Sequence, residues 1–120
     1  EGLEEKVKVS SYVLTHSKGL KPSTTISVIM EGEQIEENAQ GDGQFDAFMN
    51  ALQKVYDRKK KKLPQLIDYA VRIPPGSHSD ALCETIITWQ NGKGDFVTRG
   101  LDSDQTVSAI KATEKMLNLI

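Results

Sequence analysis

Several features that identify common classes of protein are missing from this sequence of 120 residues. It has a single cysteine, Cys83, so no disulfide can form within the chain and a reducing, cytoplasmic compartment is predicted. No apolar run approaches the roughly 20 residues of a membrane span, and the polar segment 1–8 is unlike a signal peptide. A net charge of −2 provides no strong field for nucleic acid. The sequence therefore predicts a globular domain with neither a membrane nor a nucleic-acid partner, and its start without methionine indicates a piece of a longer protein.

Patterns of catalytic and metal-binding residues are also scarce. The two histidines, His16 and His78, have no second histidine or cysteine at metal-ligand spacing. The segment 41–43 (Gly-Asp-Gly) precedes a predicted helix but completes neither a dinucleotide fingerprint nor a phosphate-binding loop. Spacing alone therefore predicts no catalytic residue, no metal site and no cofactor, and a small stand-alone enzyme is kept only as an alternative.

What the sequence does contain is an internal repeat. Alternating and β-branched stretches predict three strands in each half, at 7–14, 24–30 and 33–39 and then at 66–73, 82–89 and 95–99. Apolar residues at helical spacing predict one helix after each set of strands, at 45–56 and 103–119. Hairpin turns are predicted at 31–32 and 91–92. In this alignment Tyr12 falls opposite Tyr69, and Gly41 falls opposite Gly100, which is expected to end the last strand.

The repeat predicts an α+β fold of tandem duplicated β-β-β-α units, with antiparallel sheets and helices packed on one side. Residues 1–120 would form one domain, with repeats at 5–56 and 63–120 joined by a solvated basic linker at 57–62. Because small three-stranded units leave sheet edges or faces exposed, a two-fold dimer is predicted to cover them.

Both predicted helices begin directly after glycine-containing segments. The free N–H groups at a helix start favour a carboxylate, and glycine allows a ligand to approach the backbone. Asp46 and Asp104 could hold an ammonium group or simply cap the helices. An amino acid also needs an apolar pocket, which Leu66, Tyr69 and Ile73 could line, although core packing is the alternative for all three. Their spacing puts them on one side of a strand only if Leu66 lies at its edge or a bulge intervenes.

The sequence resembles a known regulatory family. Residues 41–47, Gly-Asp-Gly-Gln-Phe-Asp-Ala, resemble the Gly-Asn-Gly-Pro-x-Asp-Ala element of the LeuA-type domain that closes the chain in 2-isopropylmalate synthase and citramalate synthase. The segments 66–73, 79–81 and 100–112 resemble the first strand of that domain's second half, its Gly-x-Asp-Ala turn and its closing strand–helix element. The likeness covers essentially all 120 residues in order.

The resemblance implies a feedback-controlled, two-fold dimeric domain that binds the end-product amino acid and is not itself an enzyme. A divalent metal and acetyl-CoA are expected only in the catalytic domain of the same chain, an acyltransferase. The effector-binding residues that it implies are Phe45, Asp46, Leu66, Tyr69, Ile73, Asp80, Ala81, Cys83, Ser103 and Gln105.

The identity of the effector depends on three of these positions. Phe45, Cys83 and Ser103 stand where the isoleucine-inhibited citramalate synthase pattern has Tyr, Val and Pro. Changes of this size alter ligand preference by about 1–3 kcal/mol. Leucine, and with it 2-isopropylmalate synthase, is predicted; isoleucine with citramalate synthase is the close alternative. A pure dimerisation module that binds no ligand is the alternative from another class.

Overall fold

The computed structural model describes residues 6–74 and 82–120. The chain divides into two compact units, with the boundary between Leu63 and Pro64. The elements, in order, are β1 (Val7–Thr15), β2 (Ser23–Met30), β3 (Glu33–Gln40), α1 (Gln44–Arg58), β4 (Gln65–Arg72), β5 (Cys83–Asn91), β6 (Gly94–Asp102) and α2 (Gln105–Leu117). Each unit holds one antiparallel sheet, β1-β2-β3 or β4-β5-β6, and packs its helix on that sheet. The predicted α+β fold with its repeated β-β-β-α layout is confirmed, whereas the two-fold dimer stays a prediction.

Two-residue turns join the second and third strands of each sheet. Glu31 and Gly32 have φ values of 55° and 75°, and positive φ at both central residues is the requirement of a type I′ hairpin. In the second unit the turn residues are Gly92 and Lys93, and the Lys93 N–H donates to the side-chain oxygen of Asn91 at 2.8 Å. Both predicted hairpins are present, but the second turn lies one residue later than predicted.

The strand registers show a more regular repeat than the sequence alignment indicated. On the first strand of each sheet a tyrosine lies opposite an isoleucine of the second, Tyr12 opposite Ile26 and Tyr69 opposite Ile87. From the second strand to the helix, each position matches the one 61 residues later, as 26 matches 87 and the helix starts 44 and 105 match. For the first strands the separation is 57, from 12 to 69. We call positions related in this way counterparts.

Gly100 does not end β6, which runs two residues further. A Cβ at Gly100 would collide with the carbonyl oxygen of Ser108 and lie 2.6 Å from the backbone N of Ala112. Glycine is needed here because α2 packs almost backbone to backbone against β6, a reason that lies in tertiary structure. The counterpart of Gly41 is Asp102, so the predicted match of Gly41 with Gly100 is wrong.

The core of each unit lies between its helix and its second and third strands. Fully buried side chains in the first unit include Phe48 and Leu52 of α1 and Ile26 of β2. In the second unit the buried indole N–H of Trp89 donates to the Thr98 hydroxyl at 2.9 Å, and that hydroxyl donates to a carbonyl of α2. Because each helix lies over the second and third strands, the first strand of each sheet is the least covered.

The basic segment predicted as a solvated linker at 57–62 is partly bound to its own unit. Its first two residues belong to α1. Lys59 Nζ lies 3.1 Å from a carboxylate oxygen of Glu31 and 2.9 Å from one of Glu33, and Lys61 Nζ lies 3.1 Å from the other oxygen of Glu31. These ion pairs fasten the end of α1 to the acidic β2–β3 hairpin.

Candidate functional site

The apolar side chains predicted on the first strand of the second unit share one face because β4 is bulged. The pairing of β4 with β5 shifts at Ile67, which is the extra residue. Leu66 lies opposite Trp89, and Tyr69 lies opposite Ile87. Directly paired residues point to the same face of a sheet, and the two β5 partners are both fully buried. Leu66 and Tyr69 therefore face the helix side together, which the bulge alternative required.

This face of β4 is only partly covered by the rest of its unit. Ile73 follows β4 four residues after Tyr69, which puts it on the same side of an extended chain. Val71 and Ile73 are 38% and 63% exposed, and Leu66 and Tyr69 are half-buried. We call Leu66, Tyr69, Val71 and Ile73 the β4 row. It is an apolar surface that a ligand can reach.

Three further predicted residues lie at the Ile73 end of this sheet. Cys83, a half-buried free thiol, pairs with Asp102 in the register of β5 and β6. The register of β4 and β5, continued by one residue past its last pair, puts Ile73 opposite Cys83. Ser103 and Gln105 follow β6 directly and are exposed. The structure therefore gathers these predicted residues around one end of one sheet.

The start of α2 is capped by carboxylates of the protein itself. Asp104 accepts a hydrogen bond from the Val107 N–H at 3.0 Å, which confirms the capping alternative for Asp104. Asp102 accepts from the Asp104 N–H at 2.9 Å, and its other oxygen lies 2.9 Å from Lys111 Nζ. The Asp104 N–H first, and the Lys111 ammonium second, hold the pKa of Asp102 below its usual range. A ligand carboxylate would thus meet negative charge at this helix end.

The start of α1 is built without a side-chain cap. Gly43 occupies the N-cap position and makes no side-chain cap hydrogen bond, and Asp46 in the first turn is exposed. Asp46 lines an open cleft of about 580 Å³ together with Lys21, Gln40, Gly41, Asp42, Met49 and Asn50. Lys21 Nζ lies 3.8 Å from Asp42. Lys21 was missed by sequence reasoning, because it reaches this place from the β1–β2 loop and no local pattern marks it.

Phe45 belongs to an aromatic cluster rather than to the cleft. The ring centroids of Phe45 and Phe48 are 6.2 Å apart, and the angle between the stacked rings is 14°. The ring centroids of Phe48 and Tyr12 are 6.3 Å apart, and their interplanar angle of 79° makes this an edge contact. Tyr12 is the counterpart of Tyr69, so both units place a tyrosine on the less covered strand. The repeat in the sequence was the signal that could have added Tyr12 to the candidates.

The candidate residues fall into one group in each unit. Phe45 and Asp46 belong to the first unit, and the other described candidates belong to the second. Asp80 and Ala81 lie outside the described residues. Within 6–74 and 82–120, no three His, Cys, Asp or Glu side chains are placed to hold a metal ion, and no helix is long and apolar enough to cross a bilayer.

Comparison with known proteins points to one family. The family model of the LeuA allosteric (dimerisation) domain matches residues 1–120. A 2-isopropylmalate synthase of Carboxydothermus hydrogenoformans is 36% identical over 92 residues, 76% of this chain and 17% of that protein. The 2-isopropylmalate synthase of Aquifex aeolicus is 27% identical over 115 residues, 95% of this chain and 21% of that protein. A putative (R)-citramalate synthase of Methanosphaerula palustris is 25% identical over 116 residues, 96% and 22% of the two chains. The chain spans about a fifth of the length of these relatives.

Proposed function

This chain belongs to the LeuA allosteric (dimerisation) domain family, and from that premise we propose that it is the regulatory domain of a 2-isopropylmalate synthase. In this proposal the domain binds leucine as a feedback inhibitor and pairs with a second copy of itself. The divalent metal, acetyl-CoA and the acyl-transfer chemistry belong to a catalytic domain elsewhere in the longer protein.

The β4 row is the observation that supports the binding of a branched-chain amino acid in this proposal. Its side chains are apolar, share one face and remain accessible because α2 covers β5 and β6 instead. A branched aliphatic side chain gains about 0.8 kcal/mol for each CH₂ group that it buries against such a surface. Exposed polar groups of Ser103 and Gln105 lie at the Ile73 end of the row, where they can bind the polar end of an amino acid.

Titration calorimetry of the chain with leucine, isoleucine and valine tests the proposal directly. Leucine is expected to bind most tightly and, by linkage, to raise the melting temperature most. Tyr69→Ala should weaken leucine binding about tenfold, which corresponds to about 1.4 kcal/mol. Val97→Ala is the matched control, because Val97 is a 48% exposed apolar residue that pairs with Thr88 on the opposite face.

The candidate role of Asp46 is tested by a second pair of variants. Asp46→Asn should weaken binding if its carboxylate holds the ligand ammonium. Asp42→Asn is the control, since Asp42 lines the same cleft, is an acid of the same type and has a 90% exposed side chain. Equal effects of the two variants would show that general charge, and not a contact by Asp46, sets the affinity.

The alternatives give different results in these experiments. Tighter binding of isoleucine than of leucine would favour citramalate synthase, to which the chain is also similar. An absence of heat with all three amino acids, combined with a stable dimer in analytical ultracentrifugation, would favour a pure dimerisation module. Turnover of acetyl-CoA by this chain alone would support the stand-alone enzyme.

A further inference from the structure

The side chain of Asp102 ties together the segment that leads from β6 into α2. One carboxylate oxygen accepts from the Asp104 N–H at 2.9 Å, and the other lies 2.9 Å from Lys111 Nζ. Lys111 also donates to the Leu101 carbonyl at 3.1 Å, so one ammonium group joins α2 to the end of the strand. We call residues 102–105 the β6–α2 turn. Its backbone is held from the strand side by Asp102 and from the helix side by the Asp104 cap.

The first repeat has no such arrangement at the same place. The counterpart of Asp102 is Gly41, which has no side chain, and the counterpart of Asp104 is Gly43, which makes no side-chain cap hydrogen bond. Helix α1 nevertheless packs on its sheet with a buried face that includes Phe48. Holding a helix on a sheet in this fold does not require the Asp102 carboxylate. By analogy, we expect the main effect of the Asp102 carboxylate to be on the β6–α2 turn, which it links to Lys111 of α2.

We propose that Asp102 is a positioning residue for effector binding, which holds Ser103 and Gln105 in the geometry that contacts the amino acid. This inference rests on the proposed function. Both oxygens of Asp102 are engaged by groups of the protein, whereas Ser103 and Gln105 are exposed. When a binding segment holds its competent geometry for only part of the time, the apparent affinity falls by that fraction. Asp102 thus raises affinity by keeping the turn ordered before the ligand arrives.

Leucine titrations of Asp102→Ala, Asp102→Asn and Lys111→Met test this role. Asp102→Ala removes both interactions and should weaken binding about tenfold, which corresponds to a turn that is competent about a tenth of the time. Asp102→Asn keeps an acceptor for the Asp104 N–H and should recover most of the affinity. Lys61→Met is the control for Lys111→Met, because both lysines are paired with a carboxylate and are 44% and 49% exposed. The control should leave the affinity unchanged.

Backbone ¹⁵N relaxation without ligand supplies a readout that loss of general stability does not move. At a temperature where every variant is folded, Asp102→Ala should lower the heteronuclear NOE of Ser103 and leave that of α1 as it was. Three results would each overturn the inference: wild-type affinity in Asp102→Ala, an unchanged NOE of Ser103 in that variant, or a loss of affinity in Lys61→Met equal to that in Lys111→Met. If the wild-type chain binds no branched-chain amino acid, the proposed function and the inference fail together. If the wild-type chain binds leucine but the variants do not behave as expected, only the inference fails.

Discussion

The same substitution should have opposite effects at two counterpart positions of the repeat. Thr24 and Thr85 lie on the helix side of their sheets, where only 1% and 0% of their surfaces are exposed to solvent. The Thr85 hydroxyl shares a hydrogen bond of 2.5 Å with that of Ser108. The Thr24 hydroxyl has no hydrogen-bond partner among the described residues, and the place of Ser108 is taken in α1 by Ala47. One hydroxyl is satisfied and the other is not.

Valine replaces the threonine hydroxyl by a methyl group of similar size. A buried polar group without a partner costs about 1–3 kcal/mol, whereas a formed hydrogen bond contributes about 0.5–1.5 kcal/mol net. Thr24→Val should therefore raise the free energy of unfolding by about 1 kcal/mol. Thr85→Val should lower it by about 1 kcal/mol, because it removes one partner of the Ser108 hydroxyl.

Urea and thermal unfolding, followed by circular dichroism, measure the difference. Shifts of roughly 3–6 °C in opposite directions are expected for a chain of this size. A double-mutant cycle of Ala47→Ser with Thr24→Val should show coupling of about 1 kcal/mol, since serine supplies the missing partner. Destabilisation by Thr24→Val as large as that by Thr85→Val would refute the reasoning, because it would mean that the Thr24 hydroxyl is satisfied.

Three further predictions concern the two units separately. Gly100→Ala should lower the free energy of unfolding by about 1–3 kcal/mol, since the added Cβ meets the α2 backbone. Gly92→Ala is the control in the same melting experiment, because a Cβ at Gly92 would have no atom within 4 Å. Equal losses of stability in the two variants would contradict the packing argument. Burial raises the pKa of Tyr56 from 10.0 to about 12, so its contribution to stability is complete below about pH 10 and is lost as pH rises towards 12. A tyrosinate absorbance titration in which all three tyrosines of the folded chain have midpoints near pH 10 would disprove this. Hydrogen bonds from Lys61, then Lys59, hold the pKa of Glu31 below 4.5. Its contribution to stability is therefore present above that pH and is lost as pH falls through the lowered pKa. Glu31→Gln should flatten the acid side of the profile of stability against pH at low salt, and high salt should leave little difference between the two chains.

The strands, hairpins and helices could be predicted because their signals are local. Alternation with a period of two predicts β1, β-branched residues predict β2, and apolar spacing with a helical period predicts α1. The Glu31-Gly32 turn follows from the preference of glycine for positive φ. The predictions were wrong where the identity of a residue depends on contacts with a segment distant in the sequence. Gly100 looked like a strand breaker, yet it is glycine because of the α2 backbone.

The candidate site was predicted in its members and not in its arrangement. The sequence and the family resemblance predict Leu66, Tyr69 and Ile73, and their spacing alone allows either an edge position or a bulge. The register shift at Ile67 decides for the bulge and puts them in one row. Their role in binding stays a prediction, as does that of Asp46.

The sequence by itself determined the order of the elements, the duplication and the family, because each of these follows from patterns of residue types that are close along the chain. Only the tertiary structure decided which residues are counterparts, where the basic segment lies and which hydroxyl is unsatisfied. Those properties depend on pairing register and on side chains brought together from distant segments, such as Lys59 with Glu33 and Thr85 with Ser108. No local pattern encodes such contacts, since each partner is an ordinary residue until the fold places it beside the other.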